Sequence, residues 1–200
     1  MFIQVIQGEA TDRAELHAML DRWASDVAPT TTGWLGTTAG VTAAGSFVAI
    51  ARFESAEAAR RNSERPEQDQ WWTQTSKLFH GEVVFRDSLE AEEFLQGGSD
   101  QAGFVQVITG QTNDSARLRE LNEQYEQYAH LRPDLIGGVI ALHEDGLFTQ
   151  AAYFTSVAEA RAAEGQEPPE EMKAVMDEET DLIAGIAYID LDEPWLYSPR

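Results

Sequence analysis

Phe2-Ile3-Gln4-Val5-Ile6-Gln7-Gly8, at the start of the chain, returns as Phe104-Val105-Gln106-Val107-Ile108-Thr109-Gly110, displaced by 102 residues. Asp12, Ala14 and Leu16 return at the same displacement as Asp114, Ala116 and Leu118. Farther on, Phe47, Phe53, Ser55, Ala59 and Arg60 return as Phe148, Phe154, Ser156, Ala160 and Arg161, displaced by 101. A single residue is therefore missing from the turn region between, where loops tolerate deletion. An ordered series of matches at one long period marks internal repetition. The chain reads as a tandem duplication, with repeats over 1–98 and 103–200 divided near Gly97-Gly98-Ser99-Asp100.

Working outward, each repeat predicts the same elements. The quoted β-rich run ends at a glycine. Asp12 then fits a helix N-cap, followed by Leu16, Met19, Leu20, Trp23 and Val27 at helical spacing. Asp114 with Leu118, Leu121, Tyr125 and Tyr128 repeats that pattern. Strands are predicted over about 33–41 and 47–53, joined through Ala43-Ala44-Gly45; the second repeat turns at Glu144-Asp145-Gly146. Ser55 and Ser156 cap second helices, which Pro66 and the pair Pro168-Pro169 interrupt. Strands over 81–86 and 185–190 close the repeats. The order β-α-β-β-α-β is ferredoxin-like, so the fold class is α+β.

Such a unit carries both helices on one face of its sheet, and an uncovered opposite face would be an apolar patch in water. Period-two alternation assigns Ile3 and Val5 to the helix side of the first strand and Phe2, Gln4 and Ile6 to the other. Strand three divides into Phe47, Ala49, Ala51 and Phe53 against Val48, Ile50 and Arg52, and strand four into Val83 and Phe85 against Glu82, Val84 and Arg86. Both faces are apolar. The expected arrangement packs the two repeats sheet to sheet as an intrachain pseudo-dimeric barrel. Each repeat ends in an amphipathic tail, Phe94-Leu95 or Trp195-Leu196, suited to covering an exposed edge of the partner sheet.

Composition narrows the function. Fourteen Lys and Arg against thirty-five Asp and Glu give a net charge of −21, which repels phosphate backbones and anionic lipid, so neither nucleic acid nor membrane is an expected partner. No cysteine is present, which removes disulfides and thiolate chemistry. The first residues read as a strand rather than a leader, and a cytoplasmic protein is expected. The four histidines, His17, His80, His130 and His143, never fall at i,i+3 or i,i+4 spacing, so no metal site is expected. P-loop, Rossmann and nucleophile-elbow patterns are missing as well.

The element order, the junction Arg52-Phe53-Glu54-Ser55-Ala56-Glu57-Ala58 and the Pro66-Glu67 break resemble the dimeric α/β-barrel superfamily, in its antibiotic-biosynthesis monooxygenase-like branch. The resemblance spans both repeats. It implies oxidation of aromatic polyketide or quinol compounds without metal or flavin, haem degradation, or no catalytic role. Haem-degrading relatives use a Trp and a His on the second helix; residues 62–72 contain no His, which counts against haem. No cofactor is expected.

The candidate ligand-binding residues are Gln4, Trp34, Arg52, Trp72, His80 and Arg86. By analogy with the family, a flat substrate sits between Trp72 and Trp34, its anion is held by Arg52 with Gln4 as hydrogen-bond partner, and a tyrosine or His80 assists proton transfer. Each residue also has a plain structural reading. Trp71 and Trp72 fit a helical core stripe with Thr75, Leu78 and Phe79. Arg52, Arg86 and Glu82 fit an ion pair inside the barrel, and Gln4 and Gln106 a contact between repeats. Where the first repeat has Trp71, Trp72 and His80, the second has Met172, Val175 and Met176, so the first is expected to hold any site and the second to serve as scaffold. A second-repeat pocket with Tyr153 and Tyr188 stays open. The function read from the sequence is a monooxygenase-like protein for a small aromatic or polyketide-like ligand; the alternative is a non-catalytic binding or interaction module. Further homo-oligomerisation is compatible with either.

Overall fold

A computed structural model describes residues 1–199. The elements are β1 (Phe2–Ala10), α1 (Arg13–Asp26), β2 (Trp34–Val41), β3 (Ser46–Phe53), α2 (Ala56–Ser63), α3 (Pro66–Thr75), β4 (Phe79–Asp87) and β5 (Glu90–Phe94). They continue with β6 (Phe104–Thr112), α4 (Ser115–Glu126), β7 (Leu135–Leu142), β8 (Leu147–Phe154), α5 (Val157–Glu164), α6 (Glu170–Leu182), β9 (Ile183–Leu191) and β10 (Trp195–Tyr197). Among the described residues, no helix is long and apolar enough to cross a membrane.

The same residue types start the same helices twice. Asp12 accepts a hydrogen bond from the Glu15 amide and Asp114 from the Arg117 amide, both at 2.9 Å. Ser55 and Ser156 accept from the amides of Ala58 and Glu159, both at 3.2 Å. Each such cap satisfies an otherwise orphaned N–H and stabilises by about 1 kcal/mol. The prolines act as anticipated: Arg65 leaves the helical region with ψ 137°, and Pro66 opens α3, where its missing N–H costs nothing.

The chain forms two α+β units, each ferredoxin-like with one antiparallel sheet of five strands. The first unit comprises Met1–Ser88 and the chain from Pro194 onward; the second comprises Leu89–Glu193. Strand order is β10-β2-β3-β1-β4 in one sheet and β5-β7-β8-β6-β9 in the other. The two tail strands, β5 and β10, therefore belong to the sheets β5-β7-β8-β6-β9 and β10-β2-β3-β1-β4. β5 pairs with β7, bringing Phe94 opposite Gly138, and β10 pairs with β2, bringing Trp195 opposite Ala39. Each tail strand covers an edge that would otherwise expose unpaired backbone groups, the role expected for it.

The register corrects one reading. Alternation in β1 assigns Ile3 and Val5 to the helix side, but Phe2 pairs with Phe53, Gln4 with Ala51 and Ile6 with Ala49. Cross-strand partners share a face. Phe2 and Phe53 pack with Trp23 of α1, so Phe2, Gln4 and Ile6 face the helices. Ile3, opposite Arg52, and Val5, opposite Ile50, point the other way. Both faces of β1 carry large apolar side chains, and alternation alone gives them no sign. Gln4 and Arg52 consequently lie on opposite faces of one sheet and cannot hold a single ligand together.

The helix-side cores differ between the units. In the first, Leu16 and Leu20 of α1 pack on Ala39, Val41, Phe47, Ala49, Phe79 and Trp195, next to a cluster containing Phe2, Trp23, Trp34 and Phe53. In the second, Leu118 packs on Ile140, Leu142 and Phe148, and a separate group gathers Phe104, Ala152, Phe154 and Ala160.

Candidate functional site

Of the six candidates, the first unit brings together three. Gln4, Trp34 and Trp72 border a space of only about 80 Å³, which Trp23, Trp71 and Phe79 also line. The indoles fill it in a bonded arrangement. Trp23 Nε1 donates to Gln68 Oε1 at 2.6 Å, Trp71 Nε1 to the Met19 carbonyl at 2.6 Å and Trp34 Nε1 to Thr37 Oγ1 at 3.0 Å. Trp23 meets Trp34 edge to face with centroids 5.0 Å apart, and Trp72 meets Phe85 likewise at 5.2 Å. Gln4 Nε2 donates to Asp87 Oδ1 at 2.8 Å.

The other three lie elsewhere. Arg52 is buried on the opposite face, where a β-carbon built on Gly36 would stand 2.5 Å from its Nη2. Arg86 donates to Gln7 Oε1 at 2.5 Å on that same face, and Glu82 is exposed. His80 is exposed near the start of β4. His17 stacks on Trp195 with ring centroids 4.4 Å apart. His130 sits near the end of α4, with Nδ1 3.1 Å from the Gln127 carbonyl. His143 is buried beside Thr149, Nε2 to Oγ1 3.0 Å. Among the described residues, no three His, Asp or Glu side chains cluster so as to hold a metal.

The large cavity is in the second unit. It measures about 690 Å³ and lies on the helix side of its sheet, between β6, β8 and β9 and the helices α4 and α6, with Phe94 and Leu95 of the tail at its border. Ile108, Phe148, Ala152, Phe154, Met172, Met176, Ile183 and Tyr188 supply an apolar and aromatic wall. Tyr188 lines it, 60% exposed, whereas Tyr153 is fully buried opposite Val105 and faces away.

The cause of the cavity is legible in a comparison of matched positions in the two units. Trp23 of α1 corresponds to Tyr125 of α4, and Trp34, opposite Phe53, corresponds to Leu135, opposite Phe154. Where α3 carries two indoles, α6 carries Met172 and Met176. Smaller side chains on the same scaffold leave unfilled space, because packed backbones relax only partly around a truncated site. The methionines that suggest a scaffold in the sequence are, in the fold, part of a cavity wall.

Polar groups converge at two places on this wall. On the helix side, Tyr125 Oη donates to Glu179 Oε2 at 2.7 Å. Burial pushes the Glu179 carboxyl above its ordinary range, against the lowering effect of the Tyr125 hydroxyl. Burial likewise pushes the Tyr125 phenol up, with the Glu179 charge adding to it, so Tyr125 stays protonated and donates. Asn122, also on α4, has its Nδ2 buried without a hydrogen-bond partner. On the sheet side, Gln106 Nε2 donates to Asp190 Oδ1 at 3.0 Å, repeating the Gln4–Asp87 bond. Arg161 binds Asp190 and, at 2.7 Å, Glu164. Arg132 grips Asp134 through two bonds of 3.0 and 2.7 Å. Repeat position marks three members of this set in the sequence: Gln106, Arg161 and Tyr125. Arg132, Glu179 and Asp190 carry no motif, and the signal for a cavity at this place is the exchange of indoles for smaller side chains at matched positions.

Comparison with solved structures agrees with the architecture. A candidate monooxygenase of Lactobacillus acidophilus NCFM superposes with a TM-score of 0.74 at 12% identity, covering 98% of this chain and 96% of that one. A candidate monooxygenase of Fusobacterium nucleatum gives 0.76 at 9% identity, covering 98% and 94%. An anthrone oxidase-like protein gives 0.64 at 14% identity, covering 98% and 89%. No protein-family model and no curated protein matches the sequence. The likeness shows the fold, a ferredoxin-like α+β architecture.

Proposed function

We propose that the protein binds a small flat aromatic molecule in the cavity of its second unit and oxidises it with molecular oxygen. The cavity carries this reading. At about 690 Å³ it falls within the roughly 300–1,000 Å³ range of small-molecule sites. Its wall is mostly apolar and aromatic, with a few polar groups to set orientation. Phe148, Phe154 and the methionines suit a planar ring system, which thioether and aromatic surfaces contact favourably. The anthrone oxidase-like neighbour suggests the substrate class. A ring CH₂ flanked by aromatic rings can become a carbonyl while the second oxygen atom leaves as water, so substrate and oxygen balance without an external reductant.

In this reading the chain is a tandem duplication whose copies have diverged. The first retains a core filled by indoles, and Gln4, Trp34 and Trp72 contribute to that filling. The second has traded bulk for a chamber.

Thermal denaturation in the presence of anthrones, quinols and hydroxylated naphthalenes tests the binding. A specific ligand of the native state at a hundred times its dissociation constant adds about 2.7 kcal/mol and raises Tm. The shift is expected in the wild type and lost in Met172→Trp, which refills the space. Oxygen uptake with the compounds that bind tests the chemistry. Binding without uptake would identify a ligand-binding module, and a panel without any Tm shift would sink the cavity reading itself.

A further inference from the structure

The cavity wall is unevenly charged. Among the described residues it contains four carboxylates, Glu126, Glu164, Glu179 and Asp190, and two guanidiniums, Arg132 and Arg161. Both cations are already engaged. Arg132 is held in a fork by Asp134 and lies 5.7 Å from the Phe154 ring centroid. Arg161 is held by Asp190 and Glu164 and lies 5.2 Å from that of Phe104. Guanidinium donors already directed at two carboxylate oxygens, of one carboxylate for Arg132 and of two for Arg161, offer an incoming anion little. The surplus carboxylates repel one, and the repulsion is stronger in a recess of low dielectric than in water.

Glu179 stands apart from the other three. Glu164 and Asp190 answer Arg161, and Glu126, which is exposed to solvent, accepts from the Leu95 amide at 3.0 Å. Among the described residues Glu179 pairs with no cation; its Oε2 is satisfied by the neutral Tyr125 hydroxyl. A half-buried carboxylate supported by one neutral donor gains from a second donor, and a phenolic hydroxyl supplies one.

We propose that the cavity selects an uncharged hydroxyaromatic ligand, excluding its anionic analogues, and that Glu179 accepts the hydrogen bond of the ligand's hydroxyl. This rests on the cavity being the binding site. It replaces the cation-held phenolate that the sequence suggests with a neutral phenol held by a carboxylate. Tyr125 positions the carboxylate through Oε2, and Oε1 is the oxygen assigned to the ligand.

Three probes of one size separate the effects by calorimetry on the full chain near neutral pH: naphthol, methoxynaphthalene and naphthalenesulfonate. Naphthol is expected to bind about tenfold more tightly than methoxynaphthalene, the effect of one hydrogen bond to a charged acceptor. Naphthalenesulfonate is expected to bind at least about tenfold more weakly than naphthol. Glu179→Leu should erase the preference for naphthol over its methyl ether. Asp190→Asn, which loosens Arg161, should admit the sulfonate while leaving that preference in place. Equal affinity for sulfonate and naphthol in the wild type overturns the charge selection. A preference for naphthol that survives in a folded Glu179→Leu variant overturns the assigned acceptor. If none of the three probes binds the folded wild type, the cavity reading fails and the inference falls with it.

Discussion

Phe94 lies across Gly138, opposite it in the β5–β7 ladder, and a β-carbon built on that glycine would stand 1.7 Å from the ring. The glycine is thus a seat for the aromatic ring that borders the cavity. Gly137 beside it is as crowded, its β-carbon position only 2.0 Å from the Gly97 carbonyl oxygen. Two adjacent glycines in β7 admit the tail strand and the loop that follows it.

Gly138→Ala should therefore displace Phe94 and destabilise the second unit by about 1–3 kcal/mol, the usual cost of forcing volume into a packed site. Urea denaturation measures it, and ligand-induced Tm shifts should shrink in parallel. Gly165→Ala is the control. Gly165 follows α5 with φ −75°, and a β-carbon there meets nothing nearer than 3.5 Å. That substitution should be neutral or stabilise by about 0.4–1 kcal/mol through the unfolded chain.

The closing strand of the first sheet should matter out of proportion to its length. Trp195 is 5% exposed, stacks on His17 and contacts Phe47, while Tyr197 Oη donates to Asp21 Oδ1 at 2.8 Å. Trp195→Ala should cost about 3–5 kcal/mol. Ending the chain at residue 193 should add aggregation, because the edge of β2 becomes free to pair with other chains. Chemical denaturation and light scattering check the two effects separately; unchanged stability and solubility after truncation would contradict both.

Glu179 gives a signed pH dependence. Burial holds its folded-state pKa above the ordinary 4.5, so the folded chain keeps this proton more tightly than the unfolded chain. Its contribution to stability is complete below the ordinary carboxylate pKa and is lost as pH rises through the raised value. Glu179→Gln removes that loss. The Tm of the variant relative to wild type should climb as pH rises above the ordinary carboxylate value. Tyr125→Phe deletes the hydrogen bond that favours the ionised form, so the window should move to higher pH. Parallel Tm–pH curves for wild type and Glu179→Gln would refute this.

Adjacent indoles on α3 should respond unequally to truncation. Trp71 donates to the Met19 carbonyl and packs on Trp23, tying α3 to α1. Trp72 contacts Phe79 and also Phe85, which is itself 46% exposed. Trp71→Ala should cost about 3–5 kcal/mol and Trp72→Ala clearly less. Equilibrium unfolding of the two variants measures the difference.

The sequence made the architecture legible because the relevant signals are local and occur twice. Asp12 and Asp114, Ser55 and Ser156, and the prolines before the last helices each fix an element boundary through backbone chemistry that needs no distant partner. The tail strands could be foreseen because an open edge requires cover. The facing of β1 could not. With Phe2 and Ile6 on one side and Ile3 and Val5 on the other, hydrophobicity is balanced, and pairing with β3 decides it. That decision separated Gln4 from Arg52 and dissolved the expected six-residue site.

What the chain specified by itself was its element order and its doubling, since caps, turns and apolar periodicity act over a few residues. Where empty space remains is another kind of property. It depends on the difference between side-chain volumes arriving from several elements, such as Trp34 against Leu135 and Trp23 against Tyr125, and on whether backbones close the gap. Only the assembled fold determines that balance. It also brought Glu179 of α6 within reach of the Tyr125 hydroxyl on α4, a pairing of residues 54 apart that no spacing rule encodes.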